Sequence, residues 1–162
     1  LPALRGRLFW NLKVWLAKRS AKHVVTVSKA AREEIIRYLR IPPEMITVIL
    51  EAADDRFTPV TDSRALRSAR EQARVPADRR LILYVGGLAP HKNLAGLIKG
   101  FAEAIVDSQG LSDVDLVLAG DPGGAGFHSN VAELHSLVAE LGVQERVHFP
   151  GYVPDDILPA LY

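Results

Sequence analysis

Three short stretches of the chain combine glycine with polar or cationic residues in a way that suits a phosphate-bearing ligand. The first, Gly86-Gly87-Leu88-Ala89-Pro90-His91-Lys92-Asn93, follows an apolar run and precedes a helical pattern. Its glycines allow close backbone approach, a helix start offers unpaired N–H groups at the positive end of the helix dipole, and Lys92 supplies a point charge. An ordinary turn carrying an exposed lysine accounts for the same residues equally well, and His91 is expected to be merely solvated. The second stretch, Gly120-Asp121-Pro122-Gly123-Gly124-Ala125-Gly126-Phe127-His128, is denser in glycine. It is not the dinucleotide fingerprint, because Ser129 stands where the last glycine belongs, and no Gly-Lys-Ser/Thr follows to make a P-loop. A plain surface turn is the preferred reading, and a flexible loop near a substrate is the other. The third, Pro150-Gly151-Tyr152-Val153-Pro154, can present backbone groups to a base.

Other constellations carry less. Asp113-Val114-Asp115 has the spacing by which some enzymes hold a metal on a nucleotide diphosphate. Here it enters a strand instead of leaving one, so it is expected at the edge of the sheet away from the ligand loops, as solvated carboxylates. The adjacent pairs Asp54-Asp55 and Asp155-Asp156 are assigned to turns and caps. No Ser-His-Asp set and no histidine metal cluster is legible, and the absence of cysteine rules out disulfides, thiolate metal sites and cysteine nucleophiles. No metal site and no certain catalytic residue is therefore assigned.

The elements that must position these loops follow from periodicity. Val24-Val25-Thr26-Val27 is a β-branched run, Ser28 an N-cap, and the helix after it continues through Ile35, Ile36 and Leu39 until Pro42-Pro43, where Ile46-Thr47-Val48-Ile49 resumes as a strand. A polar stretch from Glu51 to Pro59 reads as a linker before a charged helix from about Asp62 to Arg74. Then strand and helix alternate: Leu81 to Val85, the helical stripe Leu94, Leu97, Ile98, Phe101 and Ile105, Val114 to Ala119, Val131 to Leu141, and a strand from Val147 that Pro150-Gly151 breaks. Asp155-Asp156 is expected to open a last helix. Such alternation predicts a parallel, doubly wound α/β sheet, which looks unfinished at its C-terminal end.

Composition adds few constraints. Net charge is +1 from 20 basic and 19 acidic residues, which does not steer the chain toward nucleic acid. The first 32 residues, however, contain no Asp or Glu. There Leu4, Leu8, Leu12, Trp15 and Leu16 recur at helical spacing between arginines and lysines, predicting a cationic amphipathic helix. Packing of its Leu and Trp on a domain is the preferred reading, and peripheral contact of residues 1–22 with an anionic membrane, which Trp10 and Trp15 suit, is the other. A cytoplasmic location is expected, at most peripheral to the inner membrane face. With no initiator Met, the chain is expected to be processed or an internal piece.

Three stretches in order from Val24 onward resemble the retaining, two-domain glycosyltransferases of the family 4 type, which include many bacterial mannosyl- and glucosyltransferases. They are Val24 to Ser28 with Ile46 to Ile49 and Asp55-Arg56-Phe57-Thr58-Pro59, then Tyr84-Val85-Gly86-Gly87-Leu88 with Lys92-Asn93-Leu94, then Arg146-Val147-His148-Phe149-Pro150-Gly151-Tyr152-Val153. The resemblance implies a GT-B fold of Rossmann-like sheets truncated at both ends, with residues 1–52 from the acceptor-side domain, 53–60 the crossover and 61–162 the first half of the donor-binding domain. It implies a hexosyl transfer from a nucleotide-diphosphate sugar to a glycan or lipid-linked acceptor, as in polysaccharide biosynthesis, without a metal cofactor. Gly86, Gly87 and Lys92 would meet the donor diphosphate, and Gly151, Tyr152 and Val153 the base. Two positions depart from the family: Gly87 stands where Arg is frequent, and Glu51-Ala52 where Asn-Gly is common. The family's paired glutamates would fall beyond Tyr162, so this piece alone is expected to be inactive. The competing class is a non-catalytic nucleotide-binding or scaffold protein on the same fold. An NAD-dependent oxidoreductase is disfavoured by the missing fingerprint.

Overall fold

The computed structural model describes residues 4–107, 109–121 and 130–162, and it divides into two compact units, Leu1–Asp54 and Asp55–Tyr162. The loop residues Pro122 to Ser129 of the glycine-dense stretch lie outside the described residues.

The first unit contains helix α1 (Leu4–Ser20), strand β1 (Val24–Thr26), helix α2 (Lys29–Glu34) and strand β2 (Ile46–Val48). β1 and β2 pair in parallel with Val24 opposite Ile46, which makes the expected βαβ unit. Ser28 caps α2, its side-chain oxygen accepting from the Ala31 N–H at 3.0 Å and satisfying one orphan donor of the helix start. The helix then widens into a π-type turn over Ile35–Leu39, and Arg40 ends it in a left-handed conformation (φ 52°) before Pro42 is reached. In α1, Leu8, Phe9, Trp10, Leu12, Trp15 and Leu16 are all more than half exposed, so the expected packing of Leu and Trp on the domain is absent among the described residues. The amphipathic expectation also fails in part. At 100° per residue Trp10 falls away from the stripe of Leu8, Leu12, Trp15 and Leu16, and Arg19 falls inside it. Lys13 and Arg19 instead lie over the rings of Phe9 and Trp15, each 5.3 Å from the centroid.

The second unit is a three-layer α/β/α domain. Strands β3 (Arg80–Val85), β4 (Val114–Ala119) and β5 (Val147–Gly151) form a parallel sheet in the order β3-β4-β5. β4 is central and buried at every position, which explains why every residue but Asp115 is apolar: neither of its faces meets water. Leu116 and Leu118 turn to one face, where helices α4 (Leu94–Asp107) and α5 (Val131–Glu140) cover them with Ile98, Phe101, Leu134 and Val138. Val117 and Ala119 turn to the other, against Ala73, Val75, Val153, Leu158 and Leu161. That second layer is helix α3 (Ser63–Gln72) together with a short 3-10 turn, Leu158–Leu161, so Asp155-Asp156 precedes a turn and not the expected helix. Asp62 caps α3 through the Arg64 N–H at 2.9 Å. The Arg70 guanidinium donates to the carbonyls of Pro76, Ala77 and Arg79 and so fastens the loop between α3 and β3.

Two further expectations are corrected. Pro150 does not break the last strand, which runs on to Gly151. Lacking an N–H, Pro150 cannot continue the ladder to β4, and the register shifts between Val117 and Ala119 before the pairing Ala119 to Gly151 restores it. The second correction concerns Asp115, expected to be solvated. It does enter the sheet at the amino end of β4, but its side chain is only 1% exposed. Arg79 donates to its Oδ1 at 2.6 Å, Arg146 to the same oxygen at 2.7 Å, and His148 Nε2 meets Oδ2 at 2.8 Å. The arginines stand just before β3 and β5, so the carboxylate of the central strand ties together the starts of its two neighbours. Burial would raise the Asp115 carboxyl pKa, but the hydrogen bonds from His148, Arg146 and Arg79 outweigh it and hold the group below the usual carboxylate range. Asp113 is exposed and its carboxyl pKa is lowered by a hydrogen-bonded pair with Arg80.

Candidate functional site

The carboxyl ends of the three strands meet through glycine. Gly86 follows β3, Gly120 follows β4 and Gly151 ends β5. The Gly86 N–H donates to the Ala119 carbonyl at 2.9 Å and the Gly120 N–H to the Gly151 carbonyl at 2.9 Å, so the ladder extends one residue beyond β3 and β4. Gly86 (φ 153°) and Gly151 (φ 79°) hold backbone conformations that side chains rarely adopt. Gly120 is constrained by space instead: a Cβ there would fall on the Gly86 carbonyl, far inside the 3.0 Å that real Cβ contacts respect. Gly120 opens the glycine-dense stretch for which a plain surface turn is preferred over a loop near a substrate. The signal that favours the second is positional: Gly120 is the first residue after a central parallel strand, beside another glycine-bearing strand end.

The loop after β3 is held from below. The Tyr84 hydroxyl donates to the Gly87 carbonyl at 2.8 Å, and burial pushes the phenol pKa up. A Cβ on Gly86 would lie 2.9 Å from that hydroxyl oxygen, so the Tyr84 ring would have to shift to admit it. Gly87, by contrast, is exposed with nothing within 4 Å of an added Cβ, so the space above the loop is open. Leu88 and Ala89 turn inward and are buried, anchoring the loop in the core. Pro90–Lys92 forms a 3-10 turn and Asn93 closes it in the left-handed region (φ 52°), after which α4 begins. The Asn93 carbonyl accepts from the N–H groups of Gly96 and Leu97, and its side chain lies over Gly96, where a Cβ would come within 2.8 Å of the amide nitrogen. Lys92 is exposed, and its ammonium has no hydrogen-bond or ion-pair partner among the described residues.

Of the residues singled out from sequence, Gly86 and Gly151 are brought into one layer of strand ends by Gly120, with Gly87 and Lys92 on the loop rising from it. Tyr152 is 69% exposed beside Gly151. Val153 points its side chain into the core beneath the sheet, leaving only its backbone for a ligand. Among the described residues no group of three or more acidic, histidine or cysteine side chains is disposed to hold a metal ion, and no helix is long and apolar enough to cross a membrane. The site offers backbone amides, one free cation and a helix start, which together suit an extended anionic ligand such as a diphosphate.

Comparison with known proteins finds similar glycosyltransferases. D-inositol 3-phosphate glycosyltransferase of Corynebacterium aurimucosum is 31% identical over 139 residues, covering 86% of this chain and 32% of the relative. O-antigen chain mannosyltransferase B of Escherichia coli is 31% identical over 144 residues, 88% of this chain and 35% of its own length. The Anabaena protein HepE, solved in complex with UDP-glucose, superimposes with a TM-score of 0.74 at 26% identity, over 93% of this chain and 38% of that one. The chain thus spans about a third of the length of these relatives. Its parallel α/β fold is shared with solved glycosyltransferases of the GT-B type. The family model "Glycosyl transferases group 1" matches residues 67–162, more than half of the sequence, and the chain belongs to that family.

Proposed function

We propose that this chain carries the phosphate-facing part of the donor site of a retaining, family 4 glycosyltransferase, which moves a hexosyl group from a nucleotide-diphosphate sugar to a glycan or lipid-linked acceptor. The observation that carries the reading is the meeting of Gly86, Gly120 and Gly151 at the carboxyl ends of β3, β4 and β5, next to the unpartnered Lys92 and the start of α4. In an open parallel sheet that is where ligands bind. Residues 61–162 then belong to the donor side and residues 1–52 to the acceptor side.

The chemistry follows from charge. When the sugar departs, negative charge grows on the diphosphate, and a fixed cation with aligned amides stabilises it without reorganising. Lys92 and the first amides of α4 supply that field, and no metal is required for it. The open space above Gly87 admits a phosphate where relatives of this type often carry a side chain. Gly151, Tyr152 and the backbone of Val153 form the side on which the base rests, Tyr152 offering an exposed ring.

Calorimetric titration of the chain with UDP and GDP tests this reading. Loss of one exposed, charge-assisted phosphate contact corresponds to about 1 kcal/mol, so Lys92→Ala is expected to weaken nucleoside-diphosphate binding by about three- to tenfold. Equal affinity of the two proteins would remove Lys92 from the site.

A further inference from the structure

The Gly86-Gly87 loop is tied to the strand beneath it through Tyr84. This residue lies near the end of β3, paired with Leu118 of β4, and its ring packs against the core that α4 and α5 cover. From there its hydroxyl donates to the Gly87 carbonyl at 2.8 Å, across the turn made by Gly86. Burial raises the phenol pKa, so the group keeps its proton and remains a donor at neutral pH.

The bond fixes more than one atom. In a trans peptide the C=O and N–H of the same plane point in opposite directions, and among the described residues no peptide bond is cis. With the Gly87 carbonyl on Tyr84, the Leu88 N–H is therefore turned away from the ring. That N–H makes no hydrogen bond among the described residues, although Leu88 is only 3% exposed. Backbone donors so covered are nearly always paired, and one without a protein partner is suited to a bound ligand or an ordered water. The opposite orientation of the same plane would set a carbonyl dipole toward an anion and withdraw the donor. Gly87, exposed and without a side chain, offers little of its own to prevent that turn. The Tyr84 hydroxyl supplies the missing preference.

We propose that Tyr84 is a positioning residue of the donor site: its hydroxyl holds the Gly87–Leu88 peptide with the carbonyl drawn down and the Leu88 N–H presented to the diphosphate of the nucleotide sugar. The inference rests on the donor-site reading and adds to it a residue that itself touches no ligand. Its effect is independent of the base, because the peptide acts on the phosphates that UDP and GDP share. Removing the hydroxyl keeps the ring and lowers the fraction of molecules whose loop is ready to bind, which reduces apparent affinity by the same factor.

The test is calorimetric titration of the chain with UDP and with GDP, for the parent, Tyr84→Phe, Lys92→Ala and Asp62→Ala, joined to heteronuclear NMR of the Leu88 amide. Tyr84→Phe is expected to bind both nucleotides about two- to fivefold more weakly, by the same factor for each, and the Leu88 amide proton of the parent to move downfield on saturation with UDP. Asp62→Ala removes the cap of α3 on the other face of the sheet, so it should lower stability by a comparable amount and leave both affinities unchanged. Equal weakening in Asp62→Ala would overturn the proposal by reducing Tyr84 to a support of the fold. Unchanged affinity in Tyr84→Phe, a loss confined to one nucleotide, or a Leu88 amide that UDP leaves unmoved would each overturn it as well. Weaker binding in Lys92→Ala beside unchanged binding in Tyr84→Phe strikes this inference alone, whereas a parent without saturable binding overturns the donor-site reading with it.

Discussion

Replacing Gly120 by alanine adds one methyl group at the point where two strand ends touch. The new Cβ would fall on the Gly86 carbonyl oxygen and 3.1 Å from its carbon, and both obstacles are backbone, so no side-chain rotation makes room. Restoring ordinary contact requires the β3 and β4 ends to part by about 1 Å. Parting them stretches the bond from Gly86 N–H to the Ala119 carbonyl, 2.9 Å, toward the limit of useful length. Overpacking of this kind costs about 1–3 kcal/mol and the weakened hydrogen bond about 0.5–1.5 kcal/mol. A loss of about 2–4 kcal/mol is therefore expected if the sheet holds its shape. If the Gly86-Gly87 loop yields instead, stability is largely kept and nucleoside-diphosphate affinity falls. Urea unfolding of the Asp55–Tyr162 unit and calorimetry with UDP and GDP read the two outcomes separately. Gly87→Ala is the control, since its Cβ meets nothing within 4 Å and the fold should lose less than about 0.5 kcal/mol. A Gly120→Ala protein as stable as the parent and with undiminished affinity would refute the close approach on which the site is built.

Asp115→Ala removes the carboxylate but leaves Arg79 and Arg146 crowded at the amino ends of the strands, and it should destabilise the second unit by about 2–3 kcal/mol in urea unfolding, at the low end for a buried pair because both guanidinium groups are about a quarter exposed. Because the folded-state pKa of Asp115 is depressed, its contribution is complete above the unfolded value of about 3.9 and is lost as pH falls through the folded one. Urea midpoints measured from pH 6 down to pH 3 should therefore fall more steeply for the parent than for Asp115→Ala. Tyr84→Phe deletes the hydroxyl that meets the Gly87 carbonyl and should cost about 0.5–1.5 kcal/mol, or less if water replaces the bond, with a rise in the amide exchange rate of the Gly86-Gly87 loop.

What could be read from sequence, and what could not, divides along a physical line. β4 was legible to the residue because a strand buried on both faces is largely apolar, and Val114 to Ala119, apolar but for Asp115, is bounded by polar residues and glycine. The starts of α2 and α3 were legible because capping is local: Ser28 and Asp62 reach donors within three residues. The end of β5 was misread because Pro150 is a breaker only by local rules, while a single shift of register against β4 absorbs its missing N–H. Asp115 and Gly120 were missed for a common reason. The partners of Asp115 lie 31 to 36 residues away in sequence, and the carbonyl that excludes a Cβ from Gly120 belongs to another loop. Neither constraint leaves a trace in spacing or periodicity. The local rules found Lys92 because charge at a helix start is itself a local feature, but they could not show that the glycines around it form one continuous layer. That layer is a product of parallel topology, in which every strand delivers its loop to the same edge, so the donor-side proposal depends more on Gly120 than on the motif that first suggested it.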